Sequence, residues 1–73
     1  MCSNLRLLIG KNIKRLRAQY GYTQEKLSEV TEIDYKYLQK IESKDPPAIK
    51  IDTLERIAKG LGVKPEELLK DGF

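Results

Sequence analysis

Seventy-three residues are enough for one small domain with a modest core, so the chain must pack its apolar residues efficiently or share them with a partner chain. Hydrophobic residues make up 40% and charged residues 34%, a globular balance that excludes a disordered polyelectrolyte, while the net charge of +3 suits an anionic partner. A single cysteine, Cys2, and no histidine exclude an intrachain disulfide, a multi-cysteine zinc site and imidazole-based catalysis, and no apolar run approaches the roughly 18 residues of a membrane span.

Taken in chain order, the sequence predicts five helical segments. The first runs from about Leu5 to Tyr20, where Leu5, Ile9, Ile13, Leu16 and Tyr20 recur at steps of three and four residues and form one stripe. Lys11, Lys14 and Arg15 face away from that stripe. The second begins after Thr23, a good N-cap, carries Glu25 where the helix dipole favours an acid, turns Leu27 and Ser28 inward and ends near Val30. The third starts after Asp34, another cap, and ends near Glu42 or Ser43, with Ile33 anchoring the turn before it. Ser43 to Lys50, SKDPPAIK, reads as a loop. Asp52-Thr-Leu-Glu55 predicts a capping box opening a fourth helix, whose stripe is Leu54, Ile57, Ala58 and Leu61 and whose stop is Gly62. Pro65 can open a fifth at its first position, with Leu68 and Leu69 as its apolar residues.

Residues 23–42 are the most informative stretch. On the third helix, Tyr35, Lys36, Gln39 and Lys40 share one side while Leu38 and Ile41 share another, so one edge can be buried as the amide and amines point outward. Two short helices meeting at a tight turn are the arrangement that carries side chains into the major groove of DNA. Charge distribution agrees: residues 1–44 hold nine Lys/Arg against five Asp/Glu, and residues 45–73 hold five against six. The positive field therefore belongs to the half with the paired helices.

Ile9-Gly10, Ile13, Leu16-Arg17, Gly21, Thr23-Gln24, Leu27, Ile33, Leu38, Ile41-Glu42, Leu54, Ile57-Ala58, Leu61-Gly62-Val63 and Leu68 together resemble the Cro/C1-type helix-turn-helix family of phage and bacterial repressors. The resemblance spans residues 9–69 and rests on helices, stops and a Thr-Gln pair at matching intervals. It implies an all-α fold, a compact five-helix bundle of the lambda-repressor-like type, in one domain over 1–73. Residues 23–43 would be its helix-turn-helix core and 51–73 its scaffold.

Residue by residue, the resemblance assigns Gln24 to a phosphate contact and to bracing the first reading residue of the third helix. Tyr35, Lys36, Gln39 and Lys40 fall on base-facing and phosphate-facing positions, and Lys44 on a loop position that meets phosphate. Arg17 and Glu42 match a structural ion pair between the first helix and the end of the third. Three residues depart from the family pattern: Glu32 in the turn where Gly is common, Ser28 for a small apolar residue, and Lys64 where Ser or Thr would cap the fifth helix.

The chemistry of these residue types fits the assignment. Lysine can donate to the O6 and N7 edge of guanine and glutamine can bond adenine bidentately, which makes Lys36 and Gln39 the candidate base readers. The plain alternative is a solvated helix face, the usual place for Lys and Gln; only their position after the turn favours DNA. Tyr35 is expected on DNA, and Tyr37 half in the core with its hydroxyl in water. Nothing supports an enzyme, a metal site or a cofactor: no activated nucleophile, glycine-rich phosphate loop or ligand spacing occurs.

The expected function is therefore that of a sequence-specific regulator of double-stranded DNA, a homodimeric repressor on a palindromic operator, with Val63, Leu68, Leu69 and Phe73 as the candidate dimer surface. A cytoplasmic location follows from a start, Met1 to Asn4, without the apolar region of a leader. Two alternatives stay open: an antitoxin or interaction module that binds a partner protein as well as its own promoter, and a restriction-modification controller.

Overall fold

The computed structural model describes residues 5–70. Four α-helices come in order, α1 (Leu5–Gln19), α2 (Gln24–Thr31), α3 (Tyr35–Ile41) and α4 (Ile51–Leu61), followed by a 3-10 turn over Pro65–Leu68. The expected fifth helix is thus a single tight turn. Lys64 offers it no side-chain cap, and it closes with the Leu69 N–H on the Glu66 carbonyl, the short i to i+3 bond of such turns.

In α1 the middle of the apolar stripe is buried, Ile9, Ile13 and Leu16, but its ends are not: Leu5 is 46% and Tyr20 50% exposed. The helix stops before Tyr20. Gly21 takes a left-handed φ of 76°, and the Tyr22 N–H then reaches back to the Arg17 carbonyl at 2.8 Å, so the ring of Tyr20 leaves the stripe. Two residues that carry no hydrophobic signal complete the buried face. Gly10 lets α1 press on the carbonyl of Ile41 at the end of α3, where any Cβ would collide. Asn12, fully buried, donates its amide to the Leu68 carbonyl at 2.8 Å and the Lys70 carbonyl at 2.9 Å, tying α1 to the chain after α4. Its Oδ1 is buried with no partner among the described residues.

Side-chain caps start both α2 and α3. Thr23 Oγ1 accepts the Lys26 N–H at 3.0 Å, and Asp34 Oδ2 accepts the Tyr37 N–H at 3.2 Å. Between them Glu32 occupies the left-handed region at φ 60°, ψ 29°, a conformation that costs an L-residue about 1–2 kcal/mol. One hydroxyl spans the turn and a second closes the end of α2. Ser28 donates to the Ile33 carbonyl at 2.6 Å, and buried Thr31 to the Leu27 carbonyl at 2.7 Å. Ser28 therefore braces the turn, a bond an Ala could not make.

The predicted capping box at Asp52 and Glu55 does not form. The chain enters α4 one residue earlier, at Ile51, with Lys50 in the cap position and no side-chain cap bond, and Asp52 lies in the first turn where its charge favours the dipole. Ile49 packs against the core just before this point and fixes where the chain arrives. Gly62, at φ 76°, ends α4, and the Val63 N–H closes on the Ala58 carbonyl at 2.9 Å.

α2 packs against α3 and α4, and α1 against α3, α4 and the 3-10 turn, around one apolar cluster. Ile13, Leu27, Leu38, Ile41, Ile57 and Leu68 are fully buried in it, each stabilising the fold by about 1.5–3 kcal/mol relative to exposure. Leu68, expected at the dimer surface, is thus a core residue of the monomer. Its side chain seals the bundle and cannot meet a partner. Val63 is half-buried against the same cluster, Leu69 is 42% exposed, and Phe73 lies outside the described residues.

Candidate nucleic-acid interface

Leu38 and Ile41 hold α3 down while its other side meets solvent. Tyr35 is 38% exposed, and Lys36, Gln39, Lys40 and Lys44 are all exposed. Tyr37 is half-buried, and its hydroxyl, expected in water, donates to the Ala48 carbonyl at 3.2 Å, so the ring pins the following loop to α3. Ser43 continues the helix end: its hydroxyl donates to the Lys40 carbonyl at 2.6 Å and accepts the Asp45 N–H at 3.3 Å. Lys44 is therefore carried on a locally bonded turn next to Lys40.

Three donors converge on one carboxylate beneath this face. Arg17 Nε donates to Glu42 Oε2 at 3.0 Å and Arg17 Nη2 to Glu42 Oε1 at 2.9 Å, a forked contact whose side chains are 15% and 3% exposed. Arg17 Nη1 donates to the Tyr22 carbonyl at 2.9 Å, which fastens the link between α1 and α2. Gln24 Nε2 is the third donor, reaching Glu42 Oε1 at 3.0 Å from the first turn of α2. The brace expected from Gln24 to the first residue of α3 is directed instead to the far end of that helix. The third donor escapes a sequence reading because residues 24 and 42 lie in different segments and only the fold juxtaposes them.

The local electrostatics follow. Asp34 is engaged as a cap and Glu42 is matched by Arg17, so two acids between residues 34 and 44 are occupied while Lys36, Lys40 and Lys44 remain outside. Among the described residues no group of three His, Cys, Asp or Glu side chains could hold a metal ion, and no helix is long and apolar enough to cross a membrane. An arrangement of short capped helices and outward lysines, with Asp34 and Glu42 engaged within the fold, is chemically suited to a polyanion.

The Helix-turn-helix family model HTH_3 matches residues 13–68. The chain belongs to that family. Control protein C.BamHI of Bacillus amyloliquefaciens is 34% identical over 70 residues, covering 94% of this chain and 85% of that protein. Among solved structures, the hypothetical transcription factor NHTF from Neisseria superposes with a TM-score of 0.84 at 29% identity, over 90% of this chain and 75% of that one. The restriction-modification controller C.Esp1396I, 33% identical, is similar in two assemblies. On a 19 base pair DNA duplex it matches with a TM-score of 0.80 over 93% of this chain and 100% of that one. As a tetramer on its natural 35 base pair operator it matches with a TM-score of 0.78 over 93% and 99%. The protein is a DNA-binding transcriptional regulator.

Proposed function

We propose that the protein is a homodimeric, sequence-specific repressor, active in the cytoplasm, that places α3 of each copy in the major groove of an approximately palindromic operator. The observation carrying this reading is the exposed Tyr35, Lys36, Gln39 and Lys40 face over buried Leu38 and Ile41. Lys36 and Gln39 read base edges, Tyr35 and Lys40 flank them, and Gln24 and Lys44 meet phosphates on either side. Two copies would set half-sites about one helical turn, roughly 34 Å, apart. The pairing surface is the side of the 3-10 turn around Val63 and Leu69, where apolar atoms remain at the surface.

The likeness to C.BamHI over nearly the whole chain favours one variant of this reading, a restriction-modification controller that acts on its own operator. The C.Esp1396I tetramer on its natural 35 base pair operator supports assembly beyond a dimer on DNA in this variant.

Selection of bound duplexes from random DNA, at fixed salt, tests the proposal. A palindromic consensus with one-turn spacing is expected, and enrichment of no sequence would overturn it. In the same assay Lys36→Ala relaxes preference at one position, whereas Lys44→Ala weakens all duplexes alike and flattens the salt dependence. Sedimentation at micromolar concentration tests the pairing, and a monomer both alone and on DNA would refute it.

A further inference from the structure

We infer that Glu42 is a positioning residue for DNA binding: its Oε1 captures one N–H of the Gln24 amide and so aims the other N–H at a phosphate. This rests on the reading that Gln24 meets phosphate. A carboxylate has no proton to donate, so the amide nitrogen of Gln24, and not its oxygen, must face Glu42. The nitrogen carries two hydrogens, and the contact at 3.0 Å uses one of them. The amide is planar, so holding one N–H fixes the direction of the second.

Glu42 is itself immobile. Its side chain is 3% exposed and is gripped by both Arg17 nitrogens at 2.9 and 3.0 Å, and the Arg17 guanidinium is anchored in turn to the Tyr22 carbonyl. The chain of bonds therefore runs from the α1–α2 link, through Arg17 and Glu42 at the end of α3, to Gln24 in the first turn of α2. At that turn the leading amides precede the first intrahelical bond, Leu27 N–H to the Thr23 carbonyl, and their polarity favours an anion beside Gln24. A flexible glutamine would lose side-chain freedom on meeting DNA; here that loss is taken on folding. An acid close to the duplex, which on charge alone should weaken binding, thus strengthens it by orienting its neighbour.

A double-mutant cycle tests this with a 20 base pair random-sequence duplex as probe, read by fluorescence anisotropy at fixed salt. The background variant is Arg17→Met/Glu42→Leu, which replaces the ion pair by apolar side chains of similar volume, a change that buried pairs often tolerate. In the unmodified protein Gln24→Ala should weaken binding by at least about tenfold, the lower end for one lost hydrogen bond to a charged group. In the background variant the same substitution should change it less than twofold. Equal losses in both would overturn the inference and leave the DNA reading intact, whereas absence of binding by the unmodified protein would sink that reading itself. Should the background variant not fold, the side-chain amide resonances of Gln24 decide the matter in the unmodified protein. One proton should lie downfield before DNA is added and the other should move on titration with the duplex; two solvent-like protons in the free protein would refute the capture by Glu42.

Discussion

The two halves of the molecule are held by different means. From Thr23 to Lys44, position is set by short polar bonds: two side-chain caps, one hydroxyl across the turn and one within the end of α2, and a carboxylate with three donors. From Lys50 to Lys70, α4 and the 3-10 turn begin without side-chain caps and are held mainly by buried Ile57, Ala58, Leu61 and Leu68 and by the left-handed Gly62, with the Asn12 amide as their polar tie to α1. Apolar burial is strong but nearly indifferent to small rotations, whereas hydrogen bonds are directional. On the proposed DNA reading, α3 needs its angle fixed, whereas α4 and the 3-10 turn need only to be firm. The polar pins are therefore found on the segment that carries the exposed Lys36, Lys40 and Lys44.

The sharpest way to break this contrast is to pull one pin. Arg17→Ala leaves Glu42 as an uncompensated buried carboxylate and should destabilise the fold by about 3–5 kcal/mol in a denaturant melt. A loss below half a kcal/mol, taken as roughly the scatter of surface substitutions, would show that the pin is ornamental. Next in size are the two close helix approaches. Gly10→Ala drives a methyl group into the Ile41 carbonyl, which is backbone and cannot swing aside, and should cost about 1–3 kcal/mol even after the better helix propensity of alanine. Gly60→Ala meets the Thr31 Cγ2 at 2.5 Å, a side-chain atom, and should cost less by the same denaturant melt. The reverse order would place the tighter joint between α2 and α4.

The caps supply a test with opposite signs. Thr23→Ala should lower stability by about 1 kcal/mol, while Lys50→Ser, at φ −71° and ψ 150° already suited to a cap, should raise it by about 0.5–1 kcal/mol. Equal responses would mean that the two halves do not differ in how their helices are started. Smallest, Glu32→Gly relieves a left-handed φ but also loosens the unfolded chain, for a net gain of about 0.5–1 kcal/mol in the same melt.

How much could be read from the chain depends on how local the cause is. Thr23, Asp34, Gly21 and Gly62 act within their own turns, and the bounds of α2 and α3 follow from them to within a residue. Asp52 and Glu55 have the spacing of a capping box, yet the chain enters α4 at Ile51 because Ile49 is already docked, a tertiary influence no four-residue pattern contains. Leu68 and Leu69 are adjacent and equally apolar, and only the packed fold distinguishes the one inside from the one at the surface. Asn12 was illegible for the same reason: a periodicity of hydrophobic residues passes over a polar side chain whose partners lie 56 and 58 positions away. Of the proposed DNA contacts, the exposed face of α3 was visible as a helical pattern, whereas the bond from Gln24 to Glu42 spans two segments and was not.

The Asn12 bonds have a kinetic consequence. A bundle whose helices mostly touch near neighbours in sequence can assemble quickly, but a contact between residue 12 and residues 68 and 70 closes nearly the whole chain into a loop and is entropically costly until the rest is in place. It should therefore form after the folding barrier and dissolve before the unfolding one. Asn12→Ala is expected to leave the refolding arm of a chevron almost unchanged and to raise the unfolding arm without changing its slope, so that this one side chain governs how long the native state lasts more than how fast it is reached.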